Sequence, residues 1–202
     1  GNIWRVEYEL TSDKPTVVNP THHSYWNLAG ESSGNVLDQH LRIFADKFTK
    51  TDDGLIPVED VPVAGTGFDF TCLRPIGYKM DWMKAQDWLK PMDNWYDHNF
   101  VLRKGNAMSL AAFVYHEDTG RSMEVITDQP GVQLYTACTT NCAGGRGGVT
   151  YGNFSGLCLE TQHFPDTPNH PNFPTTVLRP GEKYDTTTIY AFRVEEDDDE
   201  EE

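Results

Sequence analysis

Short segments that are typical of β-strands recur along most of this chain. The clearest covers residues 4–10, where Trp4, Val6, Tyr8 and Leu10 are separated by charged residues. Side chains of a strand point alternately to its two faces, so this pattern predicts a half-buried β-strand. Further strands are predicted at 16–18, 41–44, 99–102, 110–116, 122–127, 133–136, 156–160 and 183–192. Many short strands separated by Gly, Pro and Asp predict an all-β fold, an antiparallel sandwich or barrel.

The connections between these strands carry fewer signals. Asp118-Thr119-Gly120 lies between two predicted strands and favours a hairpin turn. Only residues 78–89 are typical of a helix, with apolar side chains at Met80 and Met83 and neighbouring tryptophans. The proline-rich stretch 165–174 predicts a long loop, and long loops within a compact domain are often functional.

Acidic charge is concentrated at the C-terminus. The net charge is −15, from 16 Lys+Arg against 31 Asp+Glu, and without the eight consecutive acidic residues 195–202 it is −7. Adjacent like charges repel and stay solvated, so 195–202 is predicted to be an acidic disordered tail and 1–194 one folded domain. An acidic body repels nucleic acid and anionic membranes, so we expect neither as a partner.

Other features bear on the compartment. The sequence contains no run of about 18 apolar residues, so no membrane span is predicted. Residues 1–4 lack the basic and apolar regions of a secretion signal. The four cysteines, Cys72, Cys138, Cys142 and Cys158, form no Cys-x-x-Cys pair. Together these observations favour free thiols and a cytoplasmic location.

Motifs for several common chemistries are absent. The glycine-rich stretch 144–148 lacks the lysine of a phosphate loop, and no GxGxxG occurs. There is no GxSxG nucleophile elbow, and no HxH or HExxH pattern. These absences argue against nucleotide cofactors and serine hydrolase chemistry, and they give a metal centre little support.

Four segments concentrate groups that suit a polar, uncharged ligand: 19–28, 95–100, 129–136 and 156–163. Asp97 and Gln133 suit sugar hydroxyls, which both donate and accept hydrogen bonds, although Asp97 could instead cap a turn. Four aromatic side chains could stack on a sugar face, although each taken singly is more commonly part of a core: Tyr25, Trp26, Trp95 and Tyr135.

Glu160 and His23 are the candidate acid–base groups. Glu160 follows three apolar residues, 157–159, and a partly desolvated carboxylate has a raised pKa that makes it a usable base. A surface or salt-bridged glutamate explains the segment equally well. Imidazole suits a general acid near neutral pH, although a lone histidine is more commonly structural. In an extended segment His22 points away from His23.

Taken together and in order, these segments resemble the aldose 1-epimerase (galactose mutarotase) family. The matching motifs are Asn-x-Thr-x-His-Ser-Tyr-Trp-Asn-Leu at 19–28, Asp-His-Asn-Phe at 97–100, Gln-Leu-Tyr-Thr at 133–136 and Cys-Leu-Glu-Thr-Gln at 158–162. Phe-Pro-Asp at 164–166 and Leu-Arg-Pro-Gly-Glu at 178–182 follow in the family's order.

The resemblance implies a large antiparallel β-sandwich with a sugar in an open cleft and no metal or organic cofactor. It implies an isomerase that interconverts the α and β anomers of free hexoses such as glucose or galactose. Glu160 would take the proton of the anomeric hydroxyl and His23 would protonate the ring oxygen. The remaining sugar-binding residues would be Ser24, Tyr25, Asp97 and Gln133. We expect the small-molecule aldose to be the main partner of a monomer or weak dimer.

Members of this family are considerably longer at the N-terminus, where an arginine, a further histidine and several strands are supplied. We therefore expect the chain to be a portion of the sandwich that lacks this N-terminal segment. His22 stands where the family usually has Asn, and Trp26 where it usually has Phe.

Three alternatives stay open. One is a hexose-6-phosphate epimerase of the same fold, which needs basic residues for phosphate. The others are a non-catalytic sugar-binding module and an inactive fragment. If the acid–base pair is correct, Glu160 and His23 should face one cleft, about the width of a sugar ring apart.

Overall fold

Two antiparallel β-sheets form most of the computed structural model, which describes residues 1–93, 95–103 and 107–195. The first sheet has six strands in the spatial order β1 (Ile3–Leu10), β13 (Tyr184–Val194), β9 (Arg121–Thr127), β8 (Ser109–His116), β3 (His40–Ile43) and β6 (Arg74–Pro75). The second has five, in the order β11 (Cys158–Gln162), β10 (Gly131–Tyr135), β7 (Asp97–Leu102), β4 (Ala45–Thr51) and β5 (Pro57–Pro62). A small ribbon pairs β2 (Thr16–Val17) with β12 (Val177–Leu178).

Apolar residues from both large sheets form one buried core. The six-stranded sheet contributes Val114, Met123, Val125 and Tyr190, and the five-stranded sheet contributes Phe100, Val132, Leu134 and Leu159. This packing confirms the predicted antiparallel sandwich. Because strand side chains alternate, the residues between these core positions on β10 and β11 lie on the opposite face of the five-stranded sheet.

The predicted strands are all present, with ends shifted by up to a few residues. The sequence did not predict β4, β5 or the two-residue strands β6 and β12. In β4 lysines stand at 47 and 50, and β5 begins and ends with proline, which hides the usual strand signals. Proline is tolerated in β5 because that strand is at the edge of the sheet and pairs only with β4.

The single helix predicted over 78–89 was wrong in extent. The chain forms a short helix α1 (Met80–Lys84), then a 3₁₀ helix over Asp87–Met92, with extended backbone at Gln86 between them. Met83 and Leu89 are both fully buried. Residues six apart point to different sides of a continuous helix, so the break allows both side chains to reach the core.

Glu195, which follows β13, is hydrogen-bonded to the six-stranded sheet and to the turn before β9. Its backbone N–H donates to the Gly120 carbonyl at 2.7 Å, and its carboxylate accepts from the Ser122 hydroxyl at 2.5 Å. The rest of the predicted acidic tail, 196–202, lies outside the described residues. In the described part of the chain, no helix has the length and apolar character needed to span a membrane.

Candidate active site

The polar face of the five-stranded sheet collects residues from three of the four predicted segments. Two rows of directly paired residues cross β7, β10 and β11: Asp97–Tyr135–Cys158 and Asn99–Gln133–Glu160. Residues paired across antiparallel strands share a face, and these rows face away from the sandwich core. Strand pairing therefore brings together side chains that are 63 positions apart in the sequence, such as Asp97 and Glu160.

The fourth segment, 19–28, runs along the edge of β11. The side chain of Asn19 forms two hydrogen bonds to the backbone of His163, one through Nδ2 and one through Oδ1, each 2.9 Å long. The hydroxyl of Thr21 donates to the Thr161 carbonyl at 2.9 Å. These contacts tie the first part of the segment to the sheet edge.

A second attachment lies beyond the histidines. Trp26 and Leu157 exchange two backbone hydrogen bonds of 2.7 and 2.9 Å. Next to them Gly156 permits a close approach, because a Cβ atom there would lie 3.1 Å from the Cβ of Tyr25. The segment is thus fixed on both sides of His23, which is held beside the strand that carries the candidate base.

Glu160 and His23 are in contact. His23 Nε2 lies 3.2 Å from Glu160 Oε1. The side chain of Glu160 is 10% exposed and that of His23 is 46% exposed. The two groups therefore face the same side of the sheet, but they are closer than the sugar-ring width that we expected. The contact places a group able to carry positive charge beside a desolvated carboxylate.

The environment of Glu160 suits a base. Burial raises its pKa from 4.5 to about 7; the charge of His23 opposes this rise, and the charge of Asp97 adds to it. A carboxyl group with a pKa near 7 is deprotonated often enough to accept a proton at neutral pH and strong enough as a base to hold it.

Asp97 is held in place by an amide chain. Gln133 Nε2 donates to Asp97 Oδ1 at 2.7 Å, and Gln162 Nε2 donates to Gln133 Oε1 at 3.3 Å. Burial raises the pKa of Asp97, whereas the Gln133 hydrogen bond and the charge of His23 lower it. Gln162 thereby orients the Gln133 amide so that its NH2 group faces the carboxylate.

Sequence reasoning missed two polar residues of this face, Gln162 and Asn99. Asn99 is buried in the same row as Glu160, and its amide donates to Thr49 Oγ1 at 3.1 Å. Both positions could have been found from alternation, because Asn99 is two residues from Asp97 and Gln162 two residues from Glu160.

Two tyrosines border the acid–base pair. The Tyr25 ring lies 5.0 Å from the His23 ring, and the Tyr135 ring lies 6.1 Å from it. Tyr25 is 54% exposed. It also lines a neighbouring cavity of about 1050 Å³, whose lining does not include His23 or Glu160.

The two tryptophans of these segments lie elsewhere. Trp26 packs on Tyr190 with the ring centroids 5.2 Å apart, and Trp95 packs on Phe154 at 4.3 Å. Both therefore serve the packing of the domain, which leaves the two tyrosines as the aromatic groups able to face a sugar.

His22 and Ser24 form a separate contact. The His22 ring packs edge-on against Trp4 of the six-stranded sheet at 4.5 Å, so it points away from His23 as alternation predicts. The Ser24 hydroxyl lies 2.5 Å from His22 Nε2. Ser24 is thus directed to His22, and the sugar-binding role predicted for it stays a prediction.

The four cysteines are unpaired in the structure; Cys138 and Cys158 are buried, and Cys72 and Cys142 are exposed. One of them adds a third type of donor to the site. Within the described residues, the donor atoms of His23, Cys158 and Glu160 all lie within 4.8 Å of one another. Sequence motifs for metal ligands do not detect this group, because its members are brought together by strand β11 and by the attached segment 19–28.

The chain is similar to known proteins over most of its length. The aldose 1-epimerase family model matches residues 1–191. The chain is 42% identical over 191 residues to galactose mutarotase from Homo sapiens and 38% identical over 194 residues to aldose 1-epimerase from Escherichia coli (strain K12). These matches cover 94% of the chain but only 54% and 55% of the relatives, so the chain spans about half their length.

Solved structures show the same fold. An aldose epimerase homologue from C. elegans superimposes with a TM-score of 0.83 at 28% identity, covering 96% of this chain and 57% of the other. A galactose 1-epimerase from Lactobacillus acidophilus gives a TM-score of 0.76 at 28% identity, covering 96% and 54%.

Proposed function

Because this chain belongs to the aldose 1-epimerase family, we propose that Glu160 and His23 are the acid–base pair of an enzyme that interconverts the α and β anomers of free hexoses. The observation that carries the proposal is their contact: a buried carboxylate with a pKa of about 7 lies 3.2 Å from an imidazole on the same face of one sheet. Glucose and galactose are the proposed substrates.

The reaction needs one proton removed and one delivered. The carboxylate of Glu160 takes the proton from the anomeric hydroxyl while the imidazolium of His23 donates one to the ring oxygen. The bond between C1 and the ring oxygen breaks, and the electron pair of the anomeric O–H bond becomes the C1 carbonyl. Rotation about the C1–C2 bond presents either face of the C1 carbonyl to the hydroxyl that closes the ring. Ring closure returns both protons, so the pair is reset after each turnover.

A sugar ring needs more room between the two groups than their contact leaves. Glu160 lies within the paired strand β11, and it is held by that pairing. His23 lies in the attached segment with a half-exposed side chain, so a change of its rotamer opens the space. We therefore assign the movement on sugar binding to His23.

Asp97, Gln133 and the two tyrosines complete the proposed sugar site. Asp97 and Gln133 already exchange a hydrogen bond, and each keeps capacity to accept or donate a further one. The charges of His23 and Asp97 both shift the pKa of Glu160, and the charge of His23 also shifts the pKa of Asp97. A site with these neighbours favours a neutral sugar over a sugar phosphate, because proteins bind a phosphate group mainly through arginine or lysine side chains.

Optical rotation of freshly dissolved α-D-glucose and α-D-galactose tests this proposal. The 202-residue chain and an N-terminally extended chain of the relatives' length should each be measured, both unchanged and with Glu160→Gln. We expect Glu160→Gln to lower the catalysed rate by about 10²–10⁴-fold, because the general base is lost. Glu59→Gln, at an exposed position of β5, is the matched control and should leave the rate unchanged.

The four measurements have distinct outcomes. Activity in the extended chain alone would mean that the pair needs further parts of the fold to bind sugar. Equal rates for Glu160→Gln and the unchanged protein would overturn the role of Glu160. No acceleration by either length of chain would overturn the proposed activity.

A further inference from the structure

Three different metal-binding side chains converge on the polar face of the five-stranded sheet. The donor atoms of His23, Cys158 and Glu160 lie within 4.8 Å of one another. Cys158 and Glu160 are two residues apart on β11, so both point to this face, and the segment 19–28 brings His23 to them. The proposed epimerase reaction uses the imidazole and the carboxylate but gives the thiol no role.

The spacing of these donors is close to that of a zinc site. Zinc binds imidazole nitrogen, thiolate sulfur and carboxylate oxygen at about 2.0–2.3 Å in a tetrahedral arrangement, which separates neighbouring donors by about 3.3–3.7 Å. The 3.2 Å between His23 Nε2 and Glu160 Oε1 nearly matches this separation. All three donor atoms lie within 4.8 Å of one another, so side-chain rotations that shift these donors by about 1 Å reach the tetrahedral separation.

We propose that His23, Cys158 and Glu160 bind a zinc ion reversibly, with the fourth coordination position open to solvent. Three protein ligands and one open position are typical of accessible zinc sites rather than closed structural ones. The bound ion occupies both members of the acid–base pair, so it inhibits epimerisation. This inhibitory part rests on the proposed function, whereas the binding part does not.

The donor set also determines which ions should bind. A thiolate and an imidazole select zinc, cobalt and cadmium over magnesium and calcium, which prefer oxygen donors. The acidic residues 195–202 present oxygen donors only. An excess of magnesium therefore competes for carboxylates of the C-terminus without competing for the proposed site.

Cobalt(II) titration of chelator-treated, reduced protein in excess magnesium tests the binding. We expect a thiolate-to-cobalt charge-transfer absorption and the visible bands of a tetrahedral ion, both removed by stoichiometric zinc. Cys158→Ser should abolish the charge-transfer band and weaken affinity about 100-fold, since even the loss of a residue that only orients a ligand costs 10–100-fold. His23→Gln should weaken affinity similarly while it keeps the thiolate band.

Cys142→Ser is the matched control, because it removes an exposed thiol outside the cluster. A charge-transfer band that persists in Cys158→Ser, or disappears in Cys142→Ser, would overturn the proposed site. Cys158→Ala provides a second test if the serine variant unfolds, as judged by circular dichroism. In the enzyme assay zinc should inhibit competitively with sugar, and inhibition should be about 100-fold weaker in Cys158→Ser. Cobalt binding is measured without sugar, so failure of the proposed epimerase activity leaves it unaffected.

Discussion

At the scale of single residues, Glu160 depends on two neighbours of opposite effect. The charge of His23 lowers the pKa of Glu160, and the charge of Asp97 raises it. We therefore expect His23→Gln to raise the pKa of Glu160 above 7 and Asp97→Asn to lower it below 7. Carboxyl-carbon NMR titration in the presence of a chelator measures both shifts. Shifts in the same direction for the two variants would contradict this electrostatic arrangement.

The raised pKa of Glu160 also lowers stability at high pH. Because the folded-state value of about 7 lies above the unfolded value near 4.5, the favourable contribution is complete below pH 4.5 and is lost as pH rises through 7. Glu160→Gln removes this dependence. We expect its free energy of unfolding, relative to the unchanged protein, to increase by about 2 kcal/mol between pH 5 and pH 8.

Urea unfolding at several pH values measures this difference. Glu59→Gln serves as the control, since its carboxylate is exposed, and it should show no such increase. A relative stability of Glu160→Gln that stays constant from pH 5 to pH 8 would show that the carboxyl group is not desolvated in the folded protein.

The sequence motifs contain residues that the structure brings together, but the motifs did not predict their contacts. Glu160, His23, Asp97, Gln133 and Tyr25 lie at one face of the five-stranded sheet, and the roles that the resemblance implies for them stay predictions. The 3.2 Å contact between the acid and the base, and the bond from Ser24 to His22, were not predictable. Both depend on side-chain rotamers that respond to local electrostatics, and residue type and order do not encode these rotamers directly.

At the scale of secondary-structure elements, the segment 19–28 matters as much as any strand. Asn19→Ala removes both hydrogen bonds to the His163 backbone. We expect a loss of about 1–2 kcal/mol in unfolding free energy. The amide of His163 should also exchange faster with solvent. Asn35→Ala is the control, since that side chain accepts a local bond from Leu37.

NMR-detected hydrogen exchange gives the exchange rate of the His163 amide, and urea unfolding gives the change in the free energy of unfolding. If His163 remains protected in Asn19→Ala while global stability is unchanged, the segment is held by its other contacts alone. If the protein is active, Asn19→Ala should also lower its epimerisation rate, because the position of His23 depends on this attachment.

Element prediction from the sequence worked where one physical signal dominated. Strand β1 alternates clearly and was found, and β8, β9 and β13 were found because they are rich in apolar and β-branched residues. Strands β4 and β5 were missed because charge and proline mask their pattern. Residues 19–28 contain no regular strand pattern, and their place beside β11 results from side-chain bonds by Asn19 and Thr21. Such tertiary contacts are invisible to local periodicity.

At the scale of the whole molecule, the sandwich explains why a site forms on this half of the relatives' length. Pairing of β7, β10 and β11 builds the row of Asn99, Gln133 and Glu160 without contribution from any other element. The matched relatives are nearly twice as long as this chain. Glu160 and Cys158 lie on this sheet, and the attached segment 19–28 brings His23 to them, so the proposed acid–base pair and the proposed zinc ligands meet within the described residues.

We expect the acidic C-terminus to affect stability both through its charge and through the bonds of Glu195. A chain ending at Glu195 lacks seven carboxylates, so its net charge falls in magnitude from −15 to −8. It keeps the bonds of Glu195 to Gly120 and Ser122, which a chain ending at Val194 loses. We expect the chain ending at Glu195 to melt above the full chain at low ionic strength, because like charges repel. The difference should vanish at high salt, where screening is complete within a few ångströms.

The chain ending at Val194 should be about 1 kcal/mol less stable than that ending at Glu195 at every salt concentration. Equal melting temperatures of the two shortened chains would place the boundary of the fold before Glu195.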